Sequence, residues 1–336
     1  MKRTLYIAAA AIVFVATTHV SAQSEIDSLE TFRDGFQDFS DEFARSLPMN
    51  SNIGLNWSDA YIGQLLPIPS LGVGVTTGVT TIPTSVFDDL ADDLGIEVSG
   101  GIDDLPSVGV PLPGYAFEAR VGGIVLPFDV GLKFGTIGSL ELGDVEAEYT
   151  NFGIDLRYAV LEGGVLPKVS VGVGYSYLAG RVATPLGAGD TTIAGVSDGT
   201  NTYNLAITDP ELEFEWTSNV FDFTVQASKS FVFVEPHIGL GAAIGSSTTD
   251  AGLSSEVSVV NTDGSDPGIS VSDIESISGV DISSTRVSLD SDVTTFSVRV
   301  FGGTSFNITV FRLDLGLMYN FTSGSMGGTL GARFQI

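Results

Sequence analysis

The sequence predicts an all-β transmembrane antiparallel β-barrel of about 10–12 strands, led by an N-terminal amphipathic helix. Three observations predict it. Apolar and polar residues alternate with a period of two through one segment after another. Mean hydropathy is +0.30, although no stretch beyond the N-terminus is an apolar run long enough to form a membrane helix. Finally, the charges inside these segments fall on the polar face.

Composition removes several function classes. The 336 residues contain 41 acidic and 14 basic side chains, a net charge of −27, and no cysteine. Without thiols there is no disulfide framework, thiolate metal site or cysteine nucleophile. A surplus of negative charge argues against a nucleic-acid partner, because phosphates are bound by Lys and Arg. With 43% hydrophobic and 16% charged residues, the chain also lacks the signature of disorder.

Residues 1–22 read as a signal peptide: Lys2 and Arg3, an apolar run from Leu5 to Val15, and the small residue Ala22 ahead of Gln23. Residues 23–50 read as the amphipathic helix. Ile26, Leu29, Phe32, Phe36, Phe39, Phe43 and Leu47 recur every three or four positions, opposite Asp27, Glu30, Asp34, Asp38, Asp41 and Glu42. Placed ahead of a barrel expected over residues 51–336, this helix is a plug or a cap.

The strands follow in order. Ala60–Leu66 and Leu71–Val79 are expected to form a first hairpin around Pro67-Ile68-Pro69, and alternation then marks Tyr115–Val121, Phe128–Gly135 and Phe152–Tyr158. In Val169–Tyr177 it is unbroken, with Val and Tyr on one face and Ser and Gly on the other. Leu212–Trp216, Val220–Ala227, Phe231–Ile244, Thr295–Val300, Phe311–Phe321 and Met326–Ile336 complete the set. Alternation alone fits a soluble sandwich as well as a barrel. Strands longer than the usual five or six residues, aromatics at strand ends and charges confined to one face select the barrel. The charged and titratable lumen lining is then Glu118, Arg120, Asp129, Lys133, Asp155, Arg157, Asp222, Glu235, His237, Arg299, Arg312, Asp314 and Arg333.

The last strand places Leu330, Ala332, Phe334 and Ile336 on one face and Thr329, Gly331, Arg333 and Gln335 on the other. It resembles the C-terminal assembly signal of bacterial, Gram-negative-type outer-membrane β-barrels, departing from it in ending on Ile336 where Phe is commoner. The resemblance implies residence in the cell outer membrane after cleavage near Ala22, with the lipid bilayer and the barrel-assembly machinery as partners.

Connections are expected to be tight at Leu126-Pro127, Gly163-Gly164, Ser228–Ser230, Gly302-Gly303 and Ser323-Gly324. Long acidic extracellular loops are expected at 181–209 and 246–292. Residues 81–113 read as an inward plug segment or a long loop, with a short helix at Val86–Leu94. Asn261, Asp263 and Asp266 lack the spacing of an EF-hand, so no metal is assigned. No phosphate loop, zinc pattern or dinucleotide fingerprint is present, and no cofactor is expected. Catalysis is not expected either: His237 is the one histidine of the mature chain and no nucleophile motif accompanies it.

Ten to twelve strands lie between a filled barrel and an aqueous pore. The first functional reading is a porin-like passive or gated channel for small solutes. A second follows from an architectural resemblance to the long-chain fatty-acid channel family, carried by the region ahead of the barrel and by Pro236 as a candidate kink. It implies uptake of hydrophobic compounds through a plugged barrel, although that family has more strands. The third is a structural or adhesive surface protein that transports nothing.

Overall fold

The computed structural model describes residues 25–63, 70–83, 109–123, 127–142, 145–185, 191–197, 202–261 and 287–336. Helix α1 (Glu25–Asn50) precedes strands β1 (Ser70–Ile82), β2 (Val110–Gly122), β3 (Phe128–Leu142), β4 (Val145–Glu162) and β5 (Lys168–Pro185). The short β6 (Thr191–Ser197) comes next, then β7 (Thr202–Ser228), β8 (Val234–Val260), β9 (Val287–Ile308), β10 (Phe311–Asn320) and β11 (Met326–Gln335).

Neighbouring strands from β1 to β5 pair antiparallel, β5 pairs with β7, and β11 returns to β1 from Gly72↔Gln335 to Thr80↔Gly327. The result is a closed ten-strand barrel, with β6 paired to the upper end of β7 outside the ring. Closure pairs every strand of the ring on both sides, and this is what allows a sheet to cross hydrocarbon with no exposed edge. The period-two pattern sets which face looks out. Val73, Phe117, Leu132, Ile154, Phe223, Leu240 and Leu315 are all exposed on the outer surface, and alternate positions are buried inside.

One rim carries the turns at 163–167, 229–233 and 309–310 together with the C-terminus; we call it the turn rim. The opposite rim, the loop rim, receives the far ends of β7 and β8. Each of these strands is 27 residues long, where about 9–11 tilted residues cross a bilayer. Their excess length projects beyond the apolar belt, together with the upper parts of β4, β5 and β9.

Several expectations are corrected. Residues 60–63 form no strand, the rest of the arm expected over Ala60–Leu66 lies outside the described residues, and among the described residues the barrel wall begins at Ser70 rather than at residue 51. Much of the loops expected at 181–209 and 246–292 is strand, because β7 continues up to Thr202 and β8 to Val260. The register shift between Thr208 and Glu211 brackets Pro210, which has no amide hydrogen for the ladder. Gly302-Gly303 is not a turn but the interior of β9. A side chain at Gly303 would meet the Leu315 carbonyl oxygen at 1.9 Å, so glycine here permits close strand approach. Ser323-Gly324 is a tight turn, yet it lies on the loop rim. Pro236 holds continuous register against Thr304 and shifts nothing. The signal peptide, the helix expected at Val86–Leu94 and the 262–286 stretch lie outside the described residues.

Candidate functional site: a lumen filled from within

The residues from Phe39 to Ile62 run through the barrel from the loop rim to the turn rim, and almost all of them are buried. At the loop end α1 packs by aromatic contact against β7. The Phe43 ring lies 4.8 Å from Phe214, edge to face, and 5.4 Å from Trp216; Phe39 is 5.9 Å from Phe214. Below it, Met49 clusters with Phe301 and Met318, and the Asn50 amide donates to Thr80 Oγ1 at 3.0 Å and to the Leu112 carbonyl at 2.9 Å.

After Asn50 the chain leaves the helix. Its freed backbone groups must find partners inside the barrel, since almost all of them are buried away from solvent. The wall supplies these partners. Lys133 Nζ donates to the Ser51 carbonyl and, at 3.0 Å, to that of Ile53. Glu118 accepts from the Leu55 amide at 2.8 Å and from the Trp57 indole. Gln226 donates to the Trp57 carbonyl at 2.7 Å, and Ser228 accepts from the Ala60 amide at 3.0 Å. Asp129 accepts from the Ile62 amide at 2.8 Å. Gly122 makes room at the bottom: a side chain there would stand 1.8 Å from the Ile62 carbonyl oxygen.

Asp59 is the centre of the arrangement. It is fully buried, and its carboxylate accepts from Arg312 at 2.7 Å, Arg333 at 2.8 Å and Lys168 at 3.2 Å, each on a different strand. Arg157 donates to its backbone carbonyl at 2.7 Å. Two guanidiniums stand over the Trp57 ring, Arg333 at 4.4 Å and Arg120 at 5.5 Å from its centre. Around this core the wall charges pair with one another. Arg120 reaches Asp129 at 2.5 Å and Asp155 at 2.7 Å, and Arg157 also grips Asp129. Arg299 and Arg333 each hold an acid through two nitrogens, Asp222 and Asp314 respectively. Glu235 takes Arg312 at 3.3 Å and accepts from Ser228 at 3.1 Å. His237 is buried 6.4 Å from the Phe301 ring, and its Nδ1 has no hydrogen-bond partner among the described residues.

The structure thus brings most of the wall charges onto one segment that sequence reading had placed in the barrel wall, while Arg299 and Asp222 pair with each other. Asp59, Trp57 and Lys168 were missed. The available signal was negative: residues 51–59 break the period-two pattern just where a tryptophan and an acid occur. A polar cavity of about 40 Å³ between this segment and β4, β5 and β7 leaves room for a few water molecules. Higher up, outside the apolar belt, Arg181 is ringed by Glu146, Glu148, Glu213 and Glu215. The Ser139 hydroxyl, 2.7 Å away, holds the Glu146 carboxyl below its ordinary pKa, with Arg181 assisting.

A closed antiparallel barrel with an apolar outer belt and a charged, ion-paired interior is a β-barrel of the outer-membrane type. The chain belongs to the Lsa36-like family, whose profile matches residues 96–336. Among solved structures it is similar to the outer-membrane protease OmpT of Escherichia coli, at 9% identity and a TM-score of 0.36 over 80% of this chain and 95% of that one. The translocator domain of autotransporter NalP from Neisseria meningitidis gives 8% and 0.35 over 91% and 98%. Ail, the attachment invasion locus protein of Yersinia pestis, gives 11% and 0.27 over 80% and 97%. No curated protein sequence matches.

Proposed function

We propose that this protein is a sealed outer-membrane barrel that displays its extended hairpins at the cell surface as a structural or binding element, and that it does not work as an open pore. The observation that carries the reading is the buried carboxylate of Asp59 held by Arg312, Arg333 and Lys168. A segment pinned in this way does not swing aside cheaply, because each broken pair leaves a charge uncompensated in a medium of low dielectric. The strand length beyond the belt supports the display half of the proposal: β7, β8 and β9 run well past what a bilayer requires, with Ser258, Asp290 and Asp292 exposed along them. The loop rim then faces outward, and α1 enters the barrel from that side.

Conductance of the purified full chain in planar bilayers tests this. The sealed reading expects silence, and expects that deletion of the hairpin tips above the belt abolishes surface binding without disturbing the barrel. Steady conductance of the intact chain would overturn it in favour of the small-solute channel. Binding of fatty compounds within the lumen would favour the fatty-acid-channel reading.

A further inference from the structure

On the side formed by β4, β5, β7 and β8, the apolar outer surface does not stop at the end of the barrel. The turns at 163–167 and 229–233 are neighbours because β5 pairs with β7, and from them project Val165, Leu166, Phe231, Val232 and Phe233. Val165 is 96% and Val232 102% exposed, so these two side chains pack against nothing else in the protein. Turns that face water ordinarily carry Gly, Asn, Asp or Ser at such positions. A contiguous exposed apolar patch marks an interaction surface.

Two further features say what covers it. The patch is continuous with the lipid-facing belt: directly above the turns, Tyr158, Val171, Val225 and Leu240 border a shallow apolar concavity of about 630 Å³ on the outer face of the same strands. Part of the turns' backbone polarity is also met within the protein, the carbonyls of the first turn by the end of one long lysine side chain. Lys229 Nζ donates to the carbonyls of Gly164, Val165 and Leu166 at 2.7, 2.7 and 3.2 Å. Phe231 and Val234 close the second turn with a reciprocal pair of backbone bonds, at 2.8 and 2.7 Å. In water these carbonyls would need no such service. In hydrocarbon an unpaired carbonyl is costly, and only internally satisfied backbone is tolerated.

We propose that the two turns form a lip inserted into the adjacent lipid leaflet, so that the partner of this side of the turn rim is the acyl region of the membrane. The barrel then sits deeper on the β5–β7 side than on the β1–β11 side. The inference rests on the belt being embedded in the bilayer, and the experiment keeps the two apart.

The chain has no cysteine, so single-cysteine variants need no background changes. Val165→Cys and Val232→Cys are compared in lipid nanodiscs holding one barrel each with Leu315→Cys in the belt and Ser258→Cys on the exposed upper part of β8. The probe is a charged, water-soluble maleimide. The lip expects Val165→Cys and Val232→Cys to react about tenfold or more slowly than Ser258→Cys, matching Leu315→Cys, because the reagent's charge keeps it out of hydrocarbon. Fast labelling of Val232→Cys with Leu315→Cys protected overturns the lip and leaves the embedded belt standing. Fast labelling of Leu315→Cys overturns the embedding itself. Protection of Val232→Cys only in discs holding two barrels overturns the lipid partner in favour of a second copy of this chain.

Discussion

Below the level of Ile53 the barrel wall meets its filling through charge; above Pro48 it meets it through aromatic rings. The lower contact is made by Arg120, Lys133, Arg157, Lys168, Arg312 and Arg333 reaching an irregular backbone and one carboxylate. The upper contact is made by Phe39 and Phe43 of a regular helix lying on Phe214 and Trp216. The difference follows from backbone bookkeeping. A helix satisfies its own amides and carbonyls, so what it offers a wall is a stripe of side chains, and burial of apolar area holds it. An irregular segment offers unpaired backbone groups, so the wall around it must be polar and must donate and accept at fixed places. The two fillings therefore differ in how they fail. Loss of a ring leaves a cavity, whereas loss of a charge leaves its partners buried and unpaired.

The largest effect expected from this contrast is at Asp59. Asp59→Ala should lower stability by about 3–5 kcal/mol, because it strands Arg312 and Arg333 inside the wall. It should also admit measurable conductance, checked by denaturant unfolding in lipid vesicles and by planar-bilayer recording of the same preparation. Phe43→Ala should cost about 3 kcal/mol at the upper site. It should produce no conductance, since the lower network stays intact; a pore opened by this variant would break the comparison.

A third variant sharpens the contrast by moving a charge across the wall. Arg312 is held inside by Asp59, but Leu315 on the same strand faces outward. Leu315→Arg should therefore cost about 2–4 kcal/mol if that position lies near the bilayer midplane. Gly316→Ser, which looks inward at the Thr329 hydroxyl, should shift the unfolding midpoint much less. The last effect concerns shape alone. Gly122→Ala places a methyl group against the Ile62 carbonyl and should cost about 1–3 kcal/mol by overpacking. Its readout is a lowered temperature at which the folded, fast-migrating band is lost on gels.

Legibility in the sequence varied with the kind of signal. Val169–Tyr177 could be read residue by residue, because in a strand each side chain's face depends only on its parity. Glycine was the weakest signal. Gly163-Gly164 does mark a turn, but Gly302-Gly303 marks a close crossing of β9 with β10, and the two uses look alike in one dimension. Loops were over-read at 181–209 and 246–292, since strands beyond the bilayer lose their apolar face and with it their alternation. The broken alternation of residues 51–59 marks the segment but not the role of Asp59. Its partners lie 98 to 274 residues away in the chain, and nothing local distinguishes a carboxylate bound for three cations from one bound for water.

What local order determined is the barrel and its two surfaces: alternation, strand length and the absence of thiols are properties of neighbours along the chain, and parity carries them directly into space. What only the folded ring decided is the content of the lumen. Closing β1 onto β11 and β5 onto β7 brings Arg333, Arg312, Lys168 and Arg157 around a single point, and it is that convergence that turns a segment without alternation into the filling of the barrel.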